Sequence, residues 1–546
     1  MRLAPLVFIL VCALVLFTGF DRVGLVDERE ARDAEVAREL ISREEVLTPL
    51  VGTESWFEKP LLAYAPEALV RLEPGSADLN SRRLRALFAV VLLILTASVA
   101  AEHFGARAGW ISALVLATSL ATPLASRTDG TQLIGSLLGW VGCAGLADSI
   151  FGRRAGQGPR LLVTYASLAA ALVVVGPLPA LWPFGGLALY LVLARTPGDW
   201  HRVQPLAGLA FMAGLALPWY GAMIERHGAA FLAHAPFFPY AIQPRGPWFA
   251  GPILVLSMLV VGFFPWSSLL PGAILHAATG WRAARRPLPH ASTAEEPSRT
   301  DPIVREQREE SAAHYFIACV IAALAPIIVY PSPPLPAALP ALPAAAILCG
   351  RFLDHLFEDA ERVAAPFSRA MRMLALFGTA GALLLAVVAS RVWGAVPELR
   401  LLATVVFVTS WAPFLANFLG RRRLAAALMM LPVVVGTPVA TLRLVPAMED
   451  YLNVREVAQA MASASPDRAP LVLVELPPPS LRLYTRRNLV VADSLGTSLA
   501  RYRASDGLTY LAFRPARERE VARATQTPLE IMLRTPSMVL ARVRPS

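Results

Sequence analysis

Residues 84–101 read LRALFAVVLLILTASVAA, a run of apolar side chains interrupted by a single arginine. A helix of this length and composition crosses a hydrocarbon core of about 30 Å. Similar runs recur along the whole chain of 546 residues. They lie near residues 4–20, 84–101, 108–125, 131–150, 160–176, 178–194, 204–224, 251–275, 314–331, 335–350, 371–390, 400–418 and 424–445. The sequence therefore predicts an all-α polytopic membrane bundle of about 13 transmembrane helices.

The overall composition agrees with a membrane protein. Hydrophobic residues make up 55% of the chain and charged residues 16%, and the mean hydropathy is +0.52. A soluble chain of this length needs far more charge to cover its surface. The formal net charge of +10 does not indicate nucleic-acid binding, because the basic residues stand in short loops between apolar runs. That distribution sets the membrane orientation and makes anionic lipid headgroups a secondary partner.

The arginines indicate how the chain is oriented. With a cytoplasmic N-terminus, the loops predicted inside are rich in arginine and those predicted outside carry little positive charge. The inside arginines are Arg153, Arg154, Arg160, Arg195, Arg202, Arg282, Arg285, Arg286, Arg421, Arg422 and Arg423. We interpret the first apolar run as a retained helix of a bacterial inner-membrane protein, since no small-residue cleavage site follows it. An odd number of spans then places the C-terminal region in the periplasm.

Two domains are predicted. Residues 1–445 form the membrane domain, which includes a long first periplasmic loop at 21–83. Residues 446–546 alternate helix-like and strand-like patterns, which predicts a small periplasmic α/β domain. Its expected elements are the helix VREVAQAMASA (454–464) and the strands LVLVELP (471–477), NLVVAD (488–493), LTYLAFRP (508–515) and MVLARVRP (538–545).

The first external loop opens with DEREARDAEVARELISR, residues 27–43. Apolar residues recur in it at the spacing of an amphipathic helix that lies on the membrane surface. Those residues are Ala34, Val36, Ala37, Leu40 and Ile41. Asp27 is able to cap the N-terminus of this helix. Charges on such a helix usually form a solvated face, and we expect that for most of these residues.

The same loop holds Lys59, which is the one lysine of the chain. In a GC-rich genome arginine replaces lysine wherever only positive charge matters. A single retained lysine therefore indicates a position that needs a compact ammonium rather than a wide, planar guanidinium. Lys59 stands in WFEKPLL (56–62), beside a glutamate and before a proline that ends the local structure.

Segment 27–62 resembles the first periplasmic loop of the lipid A aminoarabinose transferases and the related protein O-mannosyltransferase-like bacterial glycosyltransferases. Their pattern is an Asp-Glu pair, an Arg-x-Ala-Glu-x-Ala-Arg-Glu helix, a turn, and then Phe-Glu-Lys-Pro-Pro-Leu. This chain has RDAEVARE at 32–39 and FEKPL at 57–61. The similarity extends to the span count, to FPW at 264–266 in the eighth span and to SLRLY at 480–484.

The resemblance implies the C-type glycosyltransferase fold and a sugar donor linked to polyprenyl phosphate. By resemblance, Lys59 would contact the donor phosphate, and Glu58 would bind a divalent metal or orient the site. An acidic residue at the start of the loop helix would act as general base. Asp129, at the outer end of the third span, fits a second acidic position, with an ordinary loop aspartate as the alternative.

The identity of the base stays open because the match is shifted. Counted back without gaps from Ala34 and Glu35, the Asp-Glu pair of the family falls on Arg29 and Glu30, not on Asp27 and Glu28. Either the start of the helix has shifted, or the base is Glu30 or Asp27. The candidate catalytic residues are therefore Asp27, Glu28, Glu30 and Asp129.

A second departure concerns the donor site. Relatives usually carry Lys-Leu-Pro-x-Tyr-x-Leu-Pro in the external loop near the tenth span, where this chain has SPPLPAALP at 332–340, without the lysine and the tyrosine. External Arg127, Arg226 and Arg245 could replace this charge, and His227 and His234 face the same compartment. Ordinary interfacial polar residues are the alternative for all five.

We therefore expect a glycosyltransferase that moves a sugar, with inversion, from a polyprenyl-phosphate donor to a periplasmic acceptor. The acceptor is a lipid A-like glycolipid, a glycan or a protein. Two alternatives are a catalytically silent relative and a transporter of lipid or solute. The near absence of charges within the spans and the lack of an evident inverted repeat count against a transporter.

Overall fold

The described part of the chain is mainly helical. In the computed structural model, the described residues are 4–19, 28–43, 47–51, 54–72, 77–128, 130–151, 157–234, 250–279, 302–329, 335–391, 397–447, 460, 461, 463, 471–474, 489–492, 509–525, 529–535 and 538–543. The α-helices are Ala4–Leu16, Glu28–Arg43, Ala65–Leu72, Ala77–Phe104, Ala106–Ala117, Ala121–Thr128, Gly130–Phe151, Gln157–Val174, Pro177–Ala194, Pro205–His227, Ala229–His234, Ala250–Gly262, Leu270–Thr279, Pro302–Val329, Leu342–Glu358, Ala364–Arg391, Pro397–Phe418, Arg422–Leu428, Leu431–Val439, Val445–Ala447 and Glu518–Thr525. The 3₁₀ helices are Leu61–Tyr64, Pro197–Val203, Trp266–Ser268, Leu335–Ala341 and Pro515–Arg517, and a π-helical turn covers Ala440–Leu444.

The helices confirm a polytopic bundle. Eight of those described are long and apolar enough to cross a membrane, and two bent pairs raise the number to ten. The eight are Leu79–Phe104, Gly130–Phe151, Pro177–Ala194, Pro205–His227, Arg305–Ile328, Ala364–Ser390, Pro397–Phe418 and Arg422–Ala447. Two shorter apolar helices are Ala4–Leu16 and Gly158–Val174. The chain is a multi-pass membrane protein, and the count of about 13 spans stays a prediction.

The two bent pairs meet at their breaks. Helices Ala106–Ala117 and Ala121–Thr128 are bent by 57°, and Ala250–Gly262 and Trp266–Thr279 by 120°. The indole Nε1 of Trp266 donates to Thr118 Oγ1 at 3.0 Å, and the backbone N–H of Leu120 donates to the carbonyl of Phe264 at 3.0 Å. Non-helical backbone at membrane depth is tolerated when protein groups satisfy it, and here each break supplies partners to the other.

Small residues let neighbouring helices approach closely. A Cβ atom on Gly350 would lie 2.1 Å from Ser112 Oγ, so helix Leu342–Glu358 packs directly on helix Ala106–Ala117. A Cβ atom on Gly186 would lie 2.9 Å from Cys319 Sγ. Close packing over small residues is a main source of helix association in membranes, where burial of apolar surface gives no net gain.

The chain forms two compact units. The first comprises Met1–Thr18, Phe57–Ala63 and Arg82–Ala440, and the second comprises Gly19–Trp56, Tyr64–Ser81 and Thr441–Ser546. Most of the loop predicted at 21–83 thus clusters in the second unit, whereas the segment around Lys59 clusters with the membrane helices. This division differs from a single boundary at residue 445.

The second unit contains two sheets. Strands β1 (Leu50–Val51) and β2 (Glu54–Ser55) form an antiparallel hairpin. A five-stranded sheet contains β3 (Leu471–Val474), β4 (Leu489–Ala492), β5 (Thr509–Phe513), β6 (Glu530–Arg534) and β7 (Val539–Val543), in the order β4-β3-β5-β7-β6. Strand β3 pairs in parallel with β4 and β5, while β7 pairs antiparallel with β5 and β6. The four strands predicted from sequence are present, and β6 is an additional one.

Alternation along β5 and β7 builds the core of the larger sheet. Leu511 and Phe513 face the same side as Val539, Ala541 and Val543, as the period of two in a strand requires. Val521 of helix Glu518–Thr525 packs on this cluster. The predicted helix at 454–464 lies outside the described residues except for 460, 461 and 463.

Candidate active site

Lys59 lies in a short turn that starts a helix. The backbone N–H of Ala63 donates to the carbonyl of Pro60 at 3.0 Å, which opens the 3₁₀ helix Leu61–Tyr64. Proline suits this place because its fixed φ matches the first turn of a helix and its missing N–H costs nothing there. The proline thus ends the preceding extended segment, as predicted, and begins the next element. We call the segment Phe57–Ala63 the lysine turn.

Phe57 fixes the lysine turn to the membrane unit. Its side chain is buried, and its ring centroid lies 5.1 Å from that of His227 and 5.4 Å from that of Phe231, both edge to face. His227 ends helix Pro205–His227, and Phe231 follows in helix Ala229–His234. The aromatic contacts therefore hold the neighbouring Glu58 and Lys59, which are half-buried, near the end of a membrane helix that is predicted to be external.

Three arginines gather at the ends of two further membrane helices. Arg82 and Arg85 begin the apolar part of helix Ala77–Phe104 and are buried, and Arg127 ends helix Ala121–Thr128. Arg85 Nη1 donates to the carbonyl of Arg127 at 3.2 Å, and the positive charge of Arg82 is close enough to repel that of Arg127. We call these three residues the arginine cluster. Its signal in the sequence is SRRLR (81–85), which stands directly before an apolar run and which the sequence-based prediction missed.

Arg127 joins two helix ends. Its Nη1 donates to the carbonyl of Pro123 at 2.9 Å, and its Nη2 donates to the carbonyl of Thr18 at 3.0 Å. Carbonyls near the C-terminal ends of helices carry partial negative charge, so a guanidinium is favourable there. These bonds give Arg127 a structural task in the membrane unit, and its contact with a donor phosphate stays a prediction.

The loop helix, Glu28–Arg43, buries carboxylates. Glu30, Glu35 and Glu39 are buried, so the expected solvated face is wrong for these three. Two of them form ion pairs with Arg38, whose Nη2 lies 2.6 Å from Glu35 Oε1 and 3.0 Å from Glu39 Oε1. Arg43 adds a second bond to Glu39, at 2.6 Å. A buried carboxylate is stable only when it is paired in this way.

The loop helix packs within its own unit. It contacts helix Ala65–Leu72 and strand β1, and its buried apolar residues are Ala34, Val36 and Ala37. The guanidinium of Arg32 lies 4.7 Å from the ring centroid of Trp56, a cation–π contact. Protein thus covers part of the face that we expected to meet the membrane surface.

The structure describes the candidate acidic residues unequally. Glu30 is buried in the loop helix, whereas Asp27 and Asp129 lie outside the described residues. Glu28 is the first residue of the loop helix, and its side chain is outside the described part. Which of them acts as base stays a prediction.

The remaining basic candidates are also dispersed. Arg245 lies outside the described residues, Arg226 is exposed, and His234 ends helix Ala229–His234. His227 contacts the lysine turn through Phe57. Among the described residues, no group of three or more His, Cys, Asp or Glu side chains could hold a metal ion. Binding of a divalent metal by Glu58 stays a prediction.

The stretch that departs from the family pattern packs inside the membrane unit. Its described part, Leu335–Ala341, forms a 3₁₀ helix in which Ala338, Leu339 and Ala341 are buried. It contacts helices Ala121–Thr128, Gly130–Phe151 and Pro302–Val329, among others. Small and apolar side chains here fill space between helices, at a place where a lysine and a tyrosine would carry polar groups.

No family model matches the chain, and no curated protein sequence does. Solved structures match over nearly the whole length. The structure of ArnT from Cupriavidus metallidurans bound to undecaprenyl phosphate superimposes with a TM-score of 0.76 at 19% identity, covering 98% of this chain and 97% of that one. The apo structure of the same protein gives a TM-score of 0.75 with the same identity and coverage. The oligosaccharyltransferase AglB from Archaeoglobus fulgidus, in complex with an inhibitory peptide and a dolichol-phosphate, gives 0.46 at 11% identity, covering 93% of this chain and 69% of that one.

The two ArnT structures define a fold class. The chain has the C-type glycosyltransferase fold that its first external loop predicted. Within that class, one protein whose structure this chain resembles over nearly its whole length is the aminoarabinose transferase ArnT.

Proposed function

We propose that the chain is a polyprenyl-phosphate-dependent glycosyltransferase of a bacterial inner membrane. It transfers a sugar from a polyprenyl-phosphate donor to an acceptor on the periplasmic side. The end-to-end likeness to an aminoarabinose transferase solved with undecaprenyl phosphate supports this donor class. Nucleotide sugars are too polar to cross a bilayer, so a transferase that acts outside the cell membrane needs its sugar on a lipid. The N-terminus is then cytoplasmic, and residues 446–546 form a periplasmic α/β domain.

The lysine turn is the observation that carries the proposal. The sole lysine is held beside Glu58 by the edge-to-face contacts of Phe57 with His227 and Phe231. A half-buried ammonium is partly desolvated, which strengthens its attraction for the negative charge that grows on a departing phosphate. Lys59 would therefore stabilise the leaving polyprenyl phosphate.

The proton of the acceptor needs a base. A carboxylate at the start of the loop helix (Asp27, Glu28 or Glu30) or Asp129 would take it as the acceptor oxygen attacks the sugar. Attack from the face opposite to the leaving phosphate would give inversion at the anomeric carbon. Glu58 would bind a divalent metal or orient the ammonium of Lys59. The acceptor is a glycolipid, a glycan or a protein.

Mass spectrometry of the host membranes tests this function. Glycolipids and glycoproteins are compared between a deletion strain, the wild type and a strain with Lys59→Ala, with Arg83→Ala as control because Arg83 is exposed. We expect one glycan-modified species to vanish in the deletion and in Lys59→Ala and to remain in Arg83→Ala. An unchanged glycan profile in all strains would indicate a silent relative. Movement of a lipid or solute by vesicles with the protein, without sugar transfer, would indicate a transporter.

A further inference from the structure

A groove between two membrane helices has almost wholly apolar walls. It lies between helices Ala364–Arg391 and Pro397–Phe418 and has a volume of about 490 Å³. Leu376, Ala380 and Leu383 form one wall, and Trp411 and Phe414 form the other. We call this space the acyl groove. It lies apart in sequence from the lysine turn and the loop helix, and the proposed function does not use it.

The length of the acyl groove fits one leaflet of a bilayer. Positions 372, 376, 380 and 383 share one face of their helix, because residues three and four apart lie above one another. From 372 to 383 a helix rises about 16 Å. Half of a hydrocarbon core of about 30 Å is nearly the same distance. A single acyl chain that runs along the groove would therefore reach from the interface to the bilayer centre.

The walls of the groove are held in place. Trp411 Nε1 donates to Thr379 Oγ1 at 3.0 Å, and the Trp411 ring packs edge to face on Phe414 with centroids 5.5 Å apart. The two helices also approach closely, since a Cβ atom on Gly378 would lie 2.2 Å from Ser410 Oγ. Leu376 and Leu383 are 69% and 62% exposed, so the described residues leave the groove open to lipid.

One end of the acyl groove is positively charged. Arg372 is the one charged residue among those that line it. Arg369, Arg421 and Arg423 are exposed at the same end of the two helices. The ion pair between Arg422 and Glu361, at 2.7 Å, joins these helix ends. An acyl chain in the groove would bring its headgroup to the guanidinium of Arg372, whereas the other arginines at this end do not line the groove, and this positive charge favours a negatively charged headgroup.

We propose that the acyl groove binds an anionic glycerophospholipid, with one acyl chain along Leu376–Leu383 and the phosphate at Arg372. The argument rests on apolar walls, a length of one leaflet and basic charge at one end. It needs only that the chain spans a membrane and does not depend on glycosyl transfer. The predicted orientation places this lipid in the cytoplasmic leaflet, on the side opposite to the lysine turn.

Fluorescence quenching tests the site in the purified full-length chain in detergent. The probes are phosphatidylglycerol and phosphatidylcholine with identical brominated acyl chains, which quench tryptophan on contact. Because the chain has 11 tryptophans, the signal of the groove is the difference between wild type and Trp411→Phe. We expect phosphatidylglycerol to half-quench this component at a concentration roughly fivefold lower than phosphatidylcholine does. A factor of this size is what about one basic residue contributes to the binding of an anionic headgroup.

Two variants test the binding of the headgroup and the binding of the acyl chain separately. Arg372→Ala should remove the preference for phosphatidylglycerol, while the matched variant Arg369→Ala should retain it, since Arg369 is exposed on the same helix but does not line the groove. Ala380→Phe should weaken quenching of Trp411 by both lipids, because it fills the groove. Equal quenching by both lipids in the wild type, a preference that survives Arg372→Ala, or quenching unaffected by Trp411→Phe would each overturn the proposal.

Discussion

The lysine turn and the loop helix belong to the same loop, which is predicted to be external, yet different contacts hold them in place. In the loop helix the buried Glu35 and Glu39 are paired with Arg38 and Arg43 at 2.6–3.0 Å, and these ion pairs stabilise the helix. In the lysine turn the structural task falls to the apolar ring of Phe57.

The difference teaches where a ligand charge is best placed. A cation that already holds two carboxylates, as Arg38 does, has little left to offer an incoming phosphate. In the lysine turn, by contrast, apolar contacts of Phe57 position the segment. The proposed function gives Lys59 the chemistry, the ion pairs give the arginines of the loop helix a role in stability, and four substitutions test this division.

The largest expected effect is that of Lys59→Arg. If a compact ammonium contacts the donor phosphate, the wider guanidinium cannot take its place, and sugar transfer should fall about 100-fold, nearly as far as in Lys59→Ala. The measurement is the initial rate of transfer in membranes that hold equal amounts of protein. Arg83→Lys, a swap at an exposed site, should stay within about twofold of wild type. A Lys59→Arg protein of near wild-type rate would show that charge alone is sufficient.

Phe57→Ala should have the next largest effect. Truncation of a buried phenylalanine leaves a cavity and costs about 3 kcal/mol of stability, here against His227 and Phe231. Thermal unfolding in detergent measures the loss, and the transfer rate should fall as well because Lys59 loses its support. Phe57→Leu, which keeps most of the volume, should recover more than half of the stability. A Phe57→Ala protein as stable as wild type would show that Phe57 does not hold the lysine turn in place.

The fold was the more predictable part of the molecule. Where the structure describes them, the apolar runs of the sequence are mainly helical, because about 20 consecutive apolar residues have few alternatives in a membrane. The breaks at Thr118 and Phe264 were hidden, since backbone groups from distant parts of the chain satisfy each other there. Strand β6 was missed because its residues, EIMLR, do not alternate cleanly.

The site was less predictable because its residues act through distant partners. The unusual count of one lysine pointed to Lys59, but nothing near Phe57 in sequence indicates His227 as its neighbour. The periodicity of the loop helix gave its length correctly. It did not show that Glu30, Glu35 and Glu39 face protein, since their burial depends on packing of the loop helix against helix Ala65–Leu72 and strand β1, which lie further along the chain.

Arg38→Ala should destabilise the loop helix more than it affects transfer. It removes one partner each from Glu35, which is fully buried, and from Glu39, at a cost of about 2 kcal/mol. Hydrogen exchange of the amides in the loop helix measures the local loss directly. Arg38→Lys keeps the charge but not the planar guanidinium, so the exchange rate of its loop helix should lie between those of the wild type and Arg38→Ala. Unchanged exchange together with a large loss of transfer would reverse the roles that the comparison assigns.

Arg43→Ala should have the smallest effect, about 0.5 kcal/mol, because its side chain is 42% exposed and its pair with Glu39 is partly screened by solvent. Added salt should shrink that loss further. Arg38 and Arg43 share Glu39, however, so each single variant leaves this carboxylate one partner and the double variant leaves neither of these two. The double variant should therefore be less stable, by hydrogen exchange, than the sum of the single variants predicts. Strict additivity would mean that Glu39 has another source of compensation, and the loop helix would then have charge available for a substrate.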